Sequence, residues 1–118
     1  MGIENRQHRR VFVGADFRVS FVLEGESYAG IGVANLSEGG CLALVPGERS
    51  KPFHTGVDLE ELTLHHELMP HQPVAARVAY TFGAGELDLV GVGIQFLSMK
   101  PGMRRSIRDF VEAIPEDL

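Results

Sequence analysis

The sequence predicts a small closed β-barrel of about six short antiparallel strands with a C-terminal amphipathic helix. Three observations predict it. Apolar side chains alternate with period two in several stretches, glycine-containing turns separate those stretches, and the last stretch changes to helical spacing. Short antiparallel strands in this number favour closure, because a closed barrel leaves no edge exposed.

The first alternating stretch runs from Asp16 to Glu24, with Phe17, Val19, Phe21 and Leu23 on one face. Such alternation packs one face of a strand on a core and leaves the other in water. Glu24-Gly25-Glu26-Ser27 reads as a hairpin turn, and a second strand follows over Tyr28–Ala34 with Ala29, Ile31 and Val33 on one side. Asn35–Gly40 is a polar, glycine-ended loop. Cys41–Val45 is short and continuously apolar, the pattern of a buried strand that Pro46-Gly47 ends. Residues 46–57 read as a long loop. Leu62, Leu64 and Leu68 suggest a further strand, although a helix over Leu59–Leu68 also fits. Val74, Ala76, Val78, Tyr80 and Phe82 alternate, Gly83-Ala84-Gly85 turns the chain, and Val90, Val92, Ile94 and Phe96 alternate again. Met103, Ile107, Phe110, Val111 and Ile114 then recur at the spacing of one helix face. Pro101 suits the first turn of that helix, where a missing N–H is harmless, and Pro115 ends it.

At 118 residues the chain has the size of one domain, with a flexible arm over 1–12, a barrel over 13–97 and a helix over 101–114. Hydrophobic residues make up 44% and charged residues 23%, enough apolar material for one core. No apolar run is long enough to cross a bilayer, and Met1–Arg10 lacks the apolar stretch of a signal peptide, so a cytoplasmic protein is expected. The single cysteine, Cys41, rules out an intramolecular disulfide and a cysteine-rich metal cage, and reads as a buried thiol. The net charge of −5 argues against a partner that is a nucleic-acid polymer. Against that acidic background, residues 4–10 hold three arginines and one acid. Such a patch suits a small anion.

Two motifs carry chemistry. Arg6-Gln7-His8-Arg9-Arg10 places arginines four apart before the first strand. An arginine fork donates paired hydrogen bonds to a phosphate or to the O6/N7 edge of guanine, and its flat face stacks on a base. Asn35-Leu36-Ser37-Glu38-Gly39-Gly40 offers a carboxamide that can read a guanine edge, a hydroxyl, and a backbone that a ligand can approach closely at Gly39 and Gly40. Either motif alone is weak. Arg104 and Arg108 repeat the arginine spacing on what reads as the solvated face of the helix, and Asn-x-Ser-x-x-Gly arises by chance in about one chain of this length in twenty. Together, in this order and with one hairpin between them, they are informative, because an arm at a strand start and a loop at a strand end can meet at one end of a barrel.

This joint pattern resembles the PilZ domain family, whose signature is Arg-x-x-x-Arg followed by Asp/Asn-x-Ser-x-x-Gly, here Arg6, Arg10, Asn35, Ser37 and Gly40. The resemblance extends along nearly the whole chain, to the strand ending in an aromatic at Tyr80, to Gly93-Ile94-Gln95-Phe96 and to the helix from Pro101. It implies a six-stranded antiparallel split barrel with a C-terminal helix, and cyclic di-GMP as ligand, often as two intercalated molecules. By the resemblance, Arg6 and Arg10 clamp phosphates and guanine edges, with Arg9 inside the same arm, and Asn35, Ser37 and Gly40 line the base and ribose side. Tyr80 matches a position that often holds tryptophan, and its ring could stack on guanine for about 1–3 kcal/mol. Residue 5 is Asn where many binding members carry another arginine, a difference that bears on affinity and stoichiometry.

The other candidates are weaker. His65, His66 and His71, with Glu67 among them, lack a ligand spacing such as His-Glu-x-x-His and read as solvated surface. Ser37 lacks a nucleophile elbow. Glu60 and Glu61, adjacent in a strand, would point to opposite faces. No catalytic set and no metal site is expected. The function expected is that of a receptor, without a cofactor, that orders its arginine arm over cyclic di-GMP and signals to an unidentified downstream protein, as a monomer or a ligand-dependent dimer and with no membrane partner. The alternative is a PilZ-fold protein-interaction adaptor that ignores nucleotide.

Overall fold

A computed structural model describes residues 9–83 and 88–115. Its elements are β1 (Arg10–Phe12), β2 (Arg18–Leu23), β3 (Glu26–Ser37), β4 (Gly40–Pro46), β5 (Asp58–His65), β6 (Val74–Phe82), β7 (Leu89–Ser98) and α1 (Pro101–Ala113), with a single 3₁₀ turn at Gly47–Arg49. The strands pair antiparallel in the order β1-β3-β2-β5-β6-β7-β4, and β4 pairs back onto β3. Strands β2 to β7 therefore close a six-stranded barrel, and β1 is one extra strand.

The alternating side chains fill the barrel as their spacing requires. Phe17, Val19, Phe21 and Leu23 are buried, as are Val74, Ala76 and Val78 on β6 and Val90, Val92, Ile94 and Phe96 on β7. Cys41, Ala43 and Val45 face inward from β4. The ambiguous stretch around residue 60 is strand β5, with Leu59, Leu62 and Leu64 buried. Leu68, expected to continue that stripe, lies beyond the strand and is exposed.

Helix α1 buries Met103, Ile107 and Val111. Phe110 packs edge-on to Phe17 at 5.5 Å and to His66 at 5.2 Å. The helix thus covers the barrel mouth formed by the start of β2 and the ends of β3 and β5. No helix among the described residues is long and apolar enough to cross a membrane.

Four departures from the expected pattern share one cause. An antiparallel strand that gains one residue against its partner bulges, and the alternation changes phase there. Between Tyr28 and Ile31, β3 has one residue more than β2, so Tyr28 points inward and Ala29, expected inside, is exposed. Between Leu59 and Leu62, β5 has one more than β6, so Glu60 and Glu61 are both exposed instead of opposed, with Glu61 at φ 55°. Further bulges fall at Ala34 on β3 and at Ala79 on β6, so Tyr80 and Phe82, expected on the face of Val74, Ala76 and Val78, are exposed instead.

Two further corrections arise from packing. Residues 10–12, placed by the sequence pattern in an arm, form β1: β3 extends past the start of β2, and its unpaired edge receives Val11, which is buried. His66, read as surface, has a side chain only 8% exposed. It stacks on Phe17 at 5.0 Å beneath α1. Leu68 N–H donates to its Nδ1 at 3.1 Å, so Nε2 carries the proton, 3.2 Å from a carboxylate oxygen of Asp16. Among the described residues no group of His, Cys, Asp and Glu is placed to hold a metal ion.

Candidate functional site

Strand registers bring the two motifs together. Arg10 on β1 stands opposite Ser37 on β3, Ser37 opposite Gly40 on β4, and Gly40 opposite Gln95 on β7. The next outward row runs Phe12, Asn35, Leu42, Gly93, Tyr80. These rows form the floor and walls of an open groove of about 320 Å³ on the outer barrel surface. Arg10, Asn35, Ser37, Gly39, Gly40 and Tyr80 all line it, with Gln95 and Gly93 between them.

The two bulges beside the groove do the aiming. The extra residue Ala34 brings Asn35 into the outward row, and the extra residue Ala79 sets Tyr80 over Gly93 on the neighbouring strand. Bulges commonly re-aim side chains next to sites in this way. Asn35 is the polar residue that results. It is only 8% exposed, and among the described residues its carboxamide has no hydrogen-bond partner. Its amide atoms keep contact with solvent at the groove, since the one fully buried, unpartnered side-chain polar atom among the described residues is Gln72 Oε1.

Ser37 has another task. Gly39 N–H donates to its Oγ at 3.2 Å, and its hydroxyl donates to the Gly40 carbonyl at 3.3 Å. The hydroxyl thus holds the two-residue turn Glu38-Gly39, which Phe96 N–H fastens to β7 by donating to the Gly39 carbonyl at 2.9 Å. Gly40 is required by close approach: a Cβ there would sit 2.1 Å from the Ile94 carbonyl oxygen.

Arg9 and Arg10 diverge. Arg10 is exposed and faces the groove, whereas Arg9 turns to the end of α1. It donates from Nη1 to the Val111 carbonyl at 2.9 Å and from Nη2 to the Ile114 carbonyl. A cation there complements the partial negative charge of a helix C-terminus. Arg6 lies outside the described residues, as do Ala84 and Gly85 of the predicted turn.

Two larger depressions lack this convergence of groups. One, of about 480 Å³, is lined by Asp58, Glu60 and Glu61 with only Arg77 against them, an environment that repels anions. The other, of about 460 Å³, lies between Leu68 and α1 and is mostly apolar. Gln95 was not singled out from the sequence, yet the signal was present. It alternates with the inward residues Ile94 and Phe96, so it must face outward on the strand that pairs with β4.

Burial pushes the Cys41 thiol up to about 12. Its side chain belongs to the core although its backbone borders the groove.

Comparison with known proteins bears on the family and the fold. A family model described as PilZ domain matches residues 4–113. The inhibitor of motility MotI/DgrA of Bacillus subtilis superposes with a TM-score of 0.76 at 18% identity, covering 94% of this chain and 51% of that one. MrkH of K. pneumonia, in a complex with c-di-GMP, gives 0.76 at 17% identity, with 93% and 52% covered. The PilZ domain of YcgR from Escherichia coli with c-di-GMP gives 0.68 at 12% identity, with 93% and 91% covered. The chain thus spans about half the length of the first two and nearly all of the third. At these identities the likeness is one of fold. No curated protein matches the chain.

Proposed function

The chain belongs to the PilZ domain family, and from that premise we propose that it is a receptor, not an enzyme, for cyclic di-GMP, bound in the groove between β1, β3, β4, β7 and β6. The observation that carries this reading is Asn35: a residue 8% exposed, whose carboxamide is unpartnered among the described residues and lines a groove that also holds an exposed arginine and an aromatic ring. A guanine edge offers the donors and acceptors such an amide needs. Arg10 supplies a charge-assisted fork for a phosphate, and Tyr80 a stacking face. Arg6 supplies a second fork from the N-terminal segment. Ser37, Gly39 and Gly40 shape the wall where backbone can approach the ligand. Two solved relatives of this fold carry the same nucleotide.

In this reading the N-terminal segment closes over the ligand, and the altered surface is what a downstream protein recognises. The protein then acts in the cytoplasm, needs no cofactor, and is a monomer or a ligand-dependent dimer.

The test is calorimetric titration with cyclic di-GMP, with GTP and Arg10→Ala as controls. Binding at low-micromolar concentration or tighter, lost in the variant and absent with GTP, supports the receptor. No heat and no thermal shift would overturn it in favour of a nucleotide-independent adaptor. Hydrogen exchange over residues 1–12 tests the closing step, which requires slower exchange with ligand present.

A further inference from the structure

We propose that helix α1 positions the groove, acting through Glu38 and Arg9. This rests on the receptor reading for its purpose but not for its test. Glu38 lies between Ser37 and Gly39, both of which line the groove. Its carboxylate is set against two arginines one helical turn apart on α1, 3.9 Å from Arg104 Nη1 and 3.7 Å from Arg108 Nε. Its side chain is 19% exposed, so the interaction is partly shielded. The arginine pair on the helix is therefore more than a solvated face. At the other end of α1, Arg9 holds the Val111 and Ile114 carbonyls, and its chain neighbour is Arg10. Each ligand-facing stretch is thus fastened to the same helix by the residue next to the one that faces the ligand.

Two effects follow. The first is mechanical: the turn over residues 37–40 keeps its shape partly because Glu38 is held. The second is electrostatic. Glu38 is an acid in the middle of an anion-binding motif, and Arg104 and Arg108 offset the repulsion it would exert on a dianion. Both effects have the same sign for the arginines, so removing them weakens ligand binding. They oppose each other for Glu38. By linkage, a ligand that draws on Arg10 or on the 37–40 turn also changes how α1 is seated.

The experiment uses the full chain with Arg104→Gln/Arg108→Gln and, as a milder variant, Arg108→Gln alone. In the ligand-free protein, amides of residues 38–40 are expected to exchange faster, roughly threefold to tenfold in the double variant, while amides of β2 and β5 hold their rates. Cyclic di-GMP affinity is expected to fall by a similar factor and to recover in part when Glu38→Gln is added. Unchanged exchange at residues 38–40 in variants that fold would overturn the proposal. If the unsubstituted protein binds no cyclic di-GMP, the receptor reading fails, and the exchange measurement still decides whether α1 positions the turn.

Discussion

The ring of Tyr80 lies on the bare Cα of Gly93: a Cβ built at Gly93 would fall 2.3 Å from one ring carbon and 2.4 Å from the next. The two residues are register partners across β6 and β7, and the bulge at Ala79 sets the contact. Phe82 covers Gly91 in the same manner one pair further along. The two rings stack on each other with centroids 6.1 Å apart. Glycine at 93 thus leaves the room that the Tyr80 ring occupies at the groove wall.

Gly93→Ala is therefore expected to displace Tyr80 without opening the barrel, since a side chain can swing where backbone cannot. Loss of the platform should weaken cyclic di-GMP binding by about 1–3 kcal/mol, as should Tyr80→Ala, whereas Tyr80→Trp should preserve it. Calorimetry on the three variants, with melting curves alongside, checks this.

Arg10→Ala should lower affinity at least about tenfold, because each charge-assisted hydrogen bond lost is worth about 1.5–3 kcal/mol. Its side chain is exposed, so the melting temperature of the free protein should be nearly unchanged. A large drop in that temperature would contradict the placement of Arg10 at the groove.

His66→Ala should destabilise the protein by about 1–3 kcal/mol, since it removes a ring packed against Phe17 and Phe110 beneath α1. His71→Ala, at an exposed position, should stay within about 0.5 kcal/mol. Thermal or denaturant unfolding of both variants makes the comparison.

Cys41 should resist thiol reagents in the folded protein and react fully once unfolded, because burial holds its thiol protonated up to about 12. The sign for stability follows. Below its ordinary value of 9.0 both states keep the proton and the contribution is intact. Between there and about 12 the unfolded thiol ionises while the folded one does not, so stability falls as pH rises. Cys41→Ala should flatten that decline.

The inward faces of β2, β7 and α1, and of β6 as far as Val78, were legible because strict periodicity over several residues admits one burial pattern. The meeting of Arg10 with Asn35, Ser37 and Gly40 was legible as chemistry, since two weak motifs in order across one hairpin imply a shared barrel end. The bulges were not. An extra residue is defined only against a partner strand, so the inversion of Tyr28 and Ala29 and the shared face of Glu60 and Glu61 have no local signature. The burial of His66 depends on a helix that follows it by dozens of residues. The divergence of Arg9 from Arg10 depends on where that helix ends, so one arginine motif serves two purposes that the sequence does not separate.

Uptake of cyclic di-GMP by the groove beside Asn35 is what the receptor reading requires. Its most direct test is a nuclear magnetic resonance titration of labelled protein with that nucleotide. Saturable shifts are expected at the amides of Arg10, Asn35, Ser37, Gly39, Gly40, Gly93 and Gln95 and at the Asn35 carboxamide, with Asp58–Glu61 undisturbed. Shifts confined to the depression beside Asp58, to the apolar face of α1 near Leu68, or absent altogether would contradict it.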